Sequence, residues 1–171
     1  MSSDLAVTTT PRTGADSEST SGAAGDDDTV CAELQIVQDL SDDVSESVDD
    51  ILSAAATQGA DGQDETLQSF VALGDQLEAS LPELTAAYDR AAAAASDEVA
   101  EEIRAVADGT ALLTPALAQG FRDAAEAGEM IDFEEALGDP ELQAAAQRAG
   151  LASLRLDNFT NPVCGFRFSN S

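Results

Sequence analysis

The chain has 171 residues, 34 of them Asp or Glu against seven arginines, with no lysine and no histidine, giving a net charge of −27. Such a surface repels nucleic-acid phosphates and anionic lipid headgroups, which argues against direct binding to DNA, RNA or a membrane surface. Aromatic residues make up only 4% and tryptophan is absent, so the core must come from Leu, Val, Ile and Ala, a mixture suited to close helix packing and poorly suited to a β-sandwich.

Residues 1–28, MSSDLAVTTTPRTGADSESTSGAAGDDD, hold almost no bulky apolar groups. They cannot bury enough surface to offset the entropy of ordering, so they are predicted to be a disordered Ser/Thr/Asp-rich linker ahead of a helical domain at 29–171. The first helix is predicted from about Thr29 to Gln58, capped by Asp28 or Thr29 and stopped by Gly59. Its apolar positions Leu34, Val37, Leu40, Val44, Val48, Ile51 and Ala55 recur at spacings of three and four.

After the loop GADGQDE, Asp61 or Asp64 is the predicted cap of a second helix with its stripe from Leu67 to Ala95. That stripe passes through Pro82 in phase, which predicts a kinked but continuous helix. Ser96 opens a third helix with Val99, Ile103, Val106, Thr110, Leu113, Leu117 and Phe121 on one face and Pro115 again in phase. One unbroken helix over 64–127 would be about 95 Å long, so a tight turn is placed near 94–97. A short helical turn over 131–137 ends at Gly138, and Asp139-Pro140-Glu141 opens a last helix running to about Asp157. The tail FTNPVCGFRFSNS is predicted to be extended. The fold class is therefore all-α, an antiparallel bundle of about four long helices.

Only two cysteines occur, Cys31 and Cys164, one at each end of the helical region. With an even number of antiparallel long helices both ends lie at one pole, so a disulfide can form there. The alternatives are two buried thiols or a metal pair, but two Cys without His do not complete a zinc site. A bond would close a loop of about 134 residues, worth roughly 5 kcal/mol in the chain-entropy model, and it would imply an oxidising compartment.

The remaining candidates carry less chemistry. DGQDE at 61–65 departs from the calcium-loop order and reads as helix capping. Glu101/Glu102 and Glu134/Glu135 are adjacent on helices, point in different directions and read as solvated faces. Without His there is no Ser–His or Cys–His pair, so neither catalysis nor a cofactor or metal is expected. Tyr88 and Thr110 interrupt apolar stripes. With Leu77, Leu81, Leu113 and Leu117 they define a possible pocket between helices, against a simpler reading as core or rim positions. Phe159, Phe166 and Phe168 read as a docking patch or as packing over the bundle end. Asn158-Phe159-Thr160 matches a glycosylation sequon.

The Cys31 opening, the run LTAAYDRAAAAASDEVAEEIRAVADG at 84–109 and the closing ASLRLDNFTNPVCGF at 152–166 make the chain similar to small helical extracytoplasmic proteins and lipoproteins of actinobacteria. The resemblance covers about 135 residues, implies export and an end-to-end disulfide, and supplies no activity. Two departures stand out: no signal sequence precedes the domain in the given chain, and Asp-Thr-Val before Cys31 is not a lipobox. The export reading places the true start, or a signal sequence, upstream of Met1.

The functional expectation is an exported or cell-surface, non-enzymatic binding domain. Its partner would be an envelope protein, a glycan or a small apolar solute, with no direct nucleic acid and no membrane insertion. A face edged by Arg90, Arg104, Arg122 and Arg148 would orient contacts unless these arginines pair with nearby acids. The alternatives are a cytosolic nucleic-acid mimic, which requires reduced cysteines, and a solute-binding bundle with an internal cavity.

Overall fold

A computed structural model describes residues 25–57 and 63–170. Among the described residues there is no strand. Four long helices dominate: α1 (Asp27–Thr57), α2 (Gln63–Ala94), α3 (Asp97–Ala127) and α5 (Pro140–Phe159), with the single turn α4 (Phe133–Ala136) between the last two. A π-helical turn (Thr160–Cys164) and a 3-10 turn (Phe168–Asn170) complete the chain.

The start of α1 lies two residues earlier than Thr29, and Asp26 caps it in place of Asp28 or Thr29. Its carboxylate accepts from the Thr29 amide at 3.4 Å and the Thr29 hydroxyl at 2.7 Å. All three aspartates at 26–28 are able caps. The first prevails because its own N–H donates to Ala94 O at 2.8 Å, fixing it against the end of α2. Asp27 and Asp28 then fall in the first turn, where the helix dipole favours negative charge. The domain therefore includes residues 25–28, and the predicted linker is otherwise outside the described residues. So are Gln58, the Gly59 stop and the Asp61 cap. Asp64 lies inside α2, which opens at Gln63.

Both prolines sit inside unbroken helices. Each removes the donor for a carbonyl four residues earlier, at Glu78 and Ala111. Both of those residues are exposed, so water can take the place of the missing N–H. The α2–α3 turn is only Ala95-Ser96, as the spacing predicts. Gly128, at φ 71°, ends α3, and its N–H and that of Glu129 return to Ala125 O and Ala124 O. Asp132 and Asp139 cap α4 and α5 through the amides of Glu134, Glu135 and Glu141.

Each helix packs against the next: α1 on α2, α2 on α3, α3 on α5. Short connections make these neighbours antiparallel. Their apolar faces form two cores stacked along the axis. The upper core joins Leu34 and Val37 of α1, Leu84 and Tyr88 of α2, Ile103 and Val106 of α3, and Ala152 and Leu156 of α5, with Phe168 over the top. The lower core joins Phe70, Leu73 and Leu77 of α2 to Ala118, Phe121 and Ala124 of α3, flanked by Val44, Val48 and Ile51 of α1. No α5 residue enters the lower core. There the returning segment fills in: Ile131 packs against it and Phe133 meets Phe121 edge-on at 6.1 Å. At 20 residues against 31 for α1 and α3, α5 is the short helix of the bundle.

Contact between α3 and α5 depends on Gly109. A Cβ there would stand 2.5 Å from the Ala149 Cβ and 3.3 Å from Ala145 O, so only glycine lets the two backbones come this close.

The tail is not extended. Pro162 supplies no N–H to a regular helix, and the chain widens into a π turn closed by Gly165 N–H to Thr160 O at 2.9 Å. Gly165 takes φ 81°, which frees the chain to fold back over the bundle end.

Candidate binding surfaces at the two poles

The upper pole is fastened covalently. Cys31, in the first turns of α1, and Cys164, at the end of the π turn, form a disulfide with their Cα atoms 5.3 Å apart and a sequence separation of 133. A second clasp is polar. The Asp157 carboxylate accepts from the Phe168 amide at 2.7 Å, the Ser169 amide at 3.1 Å and the Ser169 hydroxyl. Desolvation pushes its pKa up. The three hydrogen bonds and the nearby Arg167 charge outweigh this and hold the carboxyl below its ordinary value. Phe168 is thereby seated in the upper core, its ring edge-on to Tyr88 at 6.5 Å. Phe159 and Phe166 pack beside it, so the terminal phenylalanines cover the bundle end. Thr160, of the sequon, is fully buried with its hydroxyl unpartnered among the described residues.

Tyr88 is 4% exposed. Burial pushes its phenol above the ordinary value, partly offset by the neighbouring Thr110 hydroxyl. Thr110 itself donates to Val106 O at 3.0 Å. Leu77 and Leu117 belong to the lower core and Tyr88 to the upper, while Leu81 and Leu113 are half-buried. The six predicted pocket residues are thus divided along the helix axis, and neither cleft described below is lined by any of them.

The first cleft, of about 340 Å³, lies between the start of α3 and the end of α5. Val99, Leu156, Phe159 and Val163 supply its apolar walls, and the Arg155–Glu102 ion pair, at 3.1 Å, spans it. The second, of about 530 Å³, lies between the last turns of α3 and the α4 segment. Asp123, Glu129, Asp132 and Glu135 rim it and Met130 is exposed beside them. Asp132 is engaged as the α4 cap and Asp123 with the Gln119 amide at 2.6 Å. Among the described residues no three His, Cys, Asp or Glu side chains converge as a metal site.

The arginines mostly serve as ties between helices. Arg90 on α2 meets Glu33 on α1 through two parallel bonds of 2.8 Å. Arg122 on α3 holds both Glu78 and Asp75 on α2. The hydrogen bond from Arg90 lowers the Glu33 carboxyl, and that from Arg122 lowers Glu78. Arg104 and Arg148 make no ion pair among the described residues. Of the adjacent glutamates, Glu102 turns to Arg155 while Glu101 is exposed, and Glu134 and Glu135 both face solvent in the first turn of α4. DGQDE begins outside the described residues.

Sequence reasoning missed the Asp157 latch. Its acceptors are spent eleven and twelve residues away, in a tail whose composition gives no helical period. No helix of the described residues is long and apolar enough to cross a membrane. Set against known proteins, the chain matches no family model, no curated protein and no solved structure.

Proposed function

We propose that this chain is a non-catalytic binding domain working outside the reducing cytoplasm, of the actinobacterial extracytoplasmic type its sequence resembles, tethered by its Ser/Thr/Asp-rich leader. The observation that carries this reading is the Cys31–Cys164 bond joining the two ends of the domain. Structural disulfides persist in oxidising compartments and are rare in a reducing cytosol. The same bond weighs against the cytosolic nucleic-acid mimic, which requires free thiols.

The partner favoured is an envelope protein or glycan held on the outer surface. The α3–α5 cleft beside the clasp offers an apolar floor with a charged rim, a combination suited to a side chain or sugar face. A solute chamber between the helices is disfavoured, because Leu77 and Tyr88 are taken up by packed cores.

Thiol labelling of unreduced, fractionated cells of the native host tests the proposal. Expected is a protein in the exported or envelope fraction that takes up maleimide only after reductant. Two reactive thiols on a protein confined to the cytosolic fraction would overturn it.

A further inference from the structure

The geometry points to the outward face of α5 as a self-association surface, its occupant a second copy of this chain in antiparallel register. The face is a stripe of Gln143, Gln147, Gly150, Leu151, Leu154 and Asn158, all exposed, brought to one side by the helical period. Leu151 and Leu154, at 57% and 58% exposure, are the most exposed large apolar residues among those described.

Charge selects the occupant. From Leu142 to Leu156 there is no Asp or Glu, in a chain that carries 34. From 142 to the end, three arginines stand against one aspartate, Asp157, whose carboxylate is engaged by the tail. The other long helices, α1, α2 and α3, carry carboxylates on their exposed faces, so two copies approaching there repel each other. On α5 they do not.

The order of residues along the stripe is self-complementary. A twofold axis between residues 152 and 153 sets Leu151 opposite Leu154 of the other copy and Gln147 opposite Asn158. Apolar contacts then occupy the centre and amides the flanks, as an isologous contact allows. Gly150 fits the same arrangement. It sits in the middle of a helix, where glycine weakens the helix relative to alanine, and a Cβ there would meet nothing within 4 Å. Nothing within the monomer calls for glycine at this position. A second helix crossing at Leu151 and Leu154 does, because it lets the backbones approach.

The contact runs along a helix only about 30 Å long, below the size of a standard stable interface. Association is therefore weak, and salt strengthens it by screening the repulsion between the remaining surfaces. This inference is independent of the compartment proposed above.

Sedimentation of the full chain with its disulfide intact provides the test, up to about 1 mM protein in about 0.02 M and about 0.5 M NaCl. The expected result is a monomer–dimer equilibrium that tightens with salt. Leu154→Glu and, separately, Gly150→Gln should each weaken it by about tenfold or more, with far-UV circular dichroism and Tm showing that the fold persists. Leu112→Glu, on the exposed part of α3, should leave it unchanged. A chain monomeric in every condition, or a dimer indifferent to both α5 variants, overturns the proposal. Flotation with phosphatidylglycerol vesicles that is lost in Leu154→Glu, without any dimer, would also overturn it and assign the stripe to lipid.

Discussion

At Gly109 the backbones of α3 and α5 meet with no room for a methyl group. Gly109→Val should cost about 1–3 kcal/mol by overpacking, read from urea unfolding, and Ala149→Gly in the same chain should recover part of it. Phe121 is the opposite case, a large ring filling the lower core between Phe70 and Phe133. Phe121→Ala should cost about 3–5 kcal/mol. Asp157 adds a pH signature. Its folded pKa is depressed, so its contribution is fully present above the ordinary carboxylate value and is lost as pH falls through the lowered one. Asp157→Ala should therefore destabilise by about 1–3 kcal/mol at neutral pH, with the difference from the parent chain shrinking below about pH 4. Equal destabilisation at pH 7 and pH 3 would refute this role. The two kinds of residue differ in how far they could be read in advance. Asp139-Pro140-Glu141 announces a helix start because capping there is settled within four residues. Asp157 looks like any solvated acid until the fold brings Ser169 beside it, and Gly109 looks like a weak point in a helix until Ala149 is placed against it.

Among the elements, the long helices were legible because each keeps a 3.6-residue stripe over many turns, even through Pro82 and Pro115. The tail was not, since a π turn enforced by Pro162 and Gly165 has no apolar period to betray it. The same limit applies to α5. Its inward face could be read from Ala and Leu spacing, but its failure to reach the lower core follows from how the 128–139 segment folds back along α3, with Ala136 against Gly120. The clasp is the element-scale feature with the largest expected effect. Replacing Cys31 and Cys164 together by Ser should lower stability by up to about 5 kcal/mol, measured by thermal or urea unfolding with and without reductant. The tail should then become the first segment cut by a protease, because only the Asp157 hydrogen bonds and the packing of Phe166 and Phe168 still hold it. If the double variant unfolds with the parent chain, the bond contributes nothing to stability.

The whole molecule carries 27 negative charges more than it balances. Among the described residues Arg90, Arg122 and Arg155 tie α1 to α2, α2 to α3 and α3 to α5 through ion pairs, but exposed pairs of this kind contribute little. Screening should therefore matter more than the pairs it weakens, so Tm should rise between about 0.02 M and about 0.5 M NaCl; a fall would mean that the pairs dominate. Among the described residues, the covalent bond and the core shared by all four long helices lie at the same end, while the opposite end relies on three helices and a row of phenylalanines. Opening should then have a direction. Backbone amides around Phe70 and Phe121 should exchange with solvent faster than those around Leu34 and Ile103, and severing the sulfur bridge should level that gradient. Fastened like a pair of tongs at its pivot, the protein would keep its pliant jaw at the end where the acidic cleft and Met130 face outward.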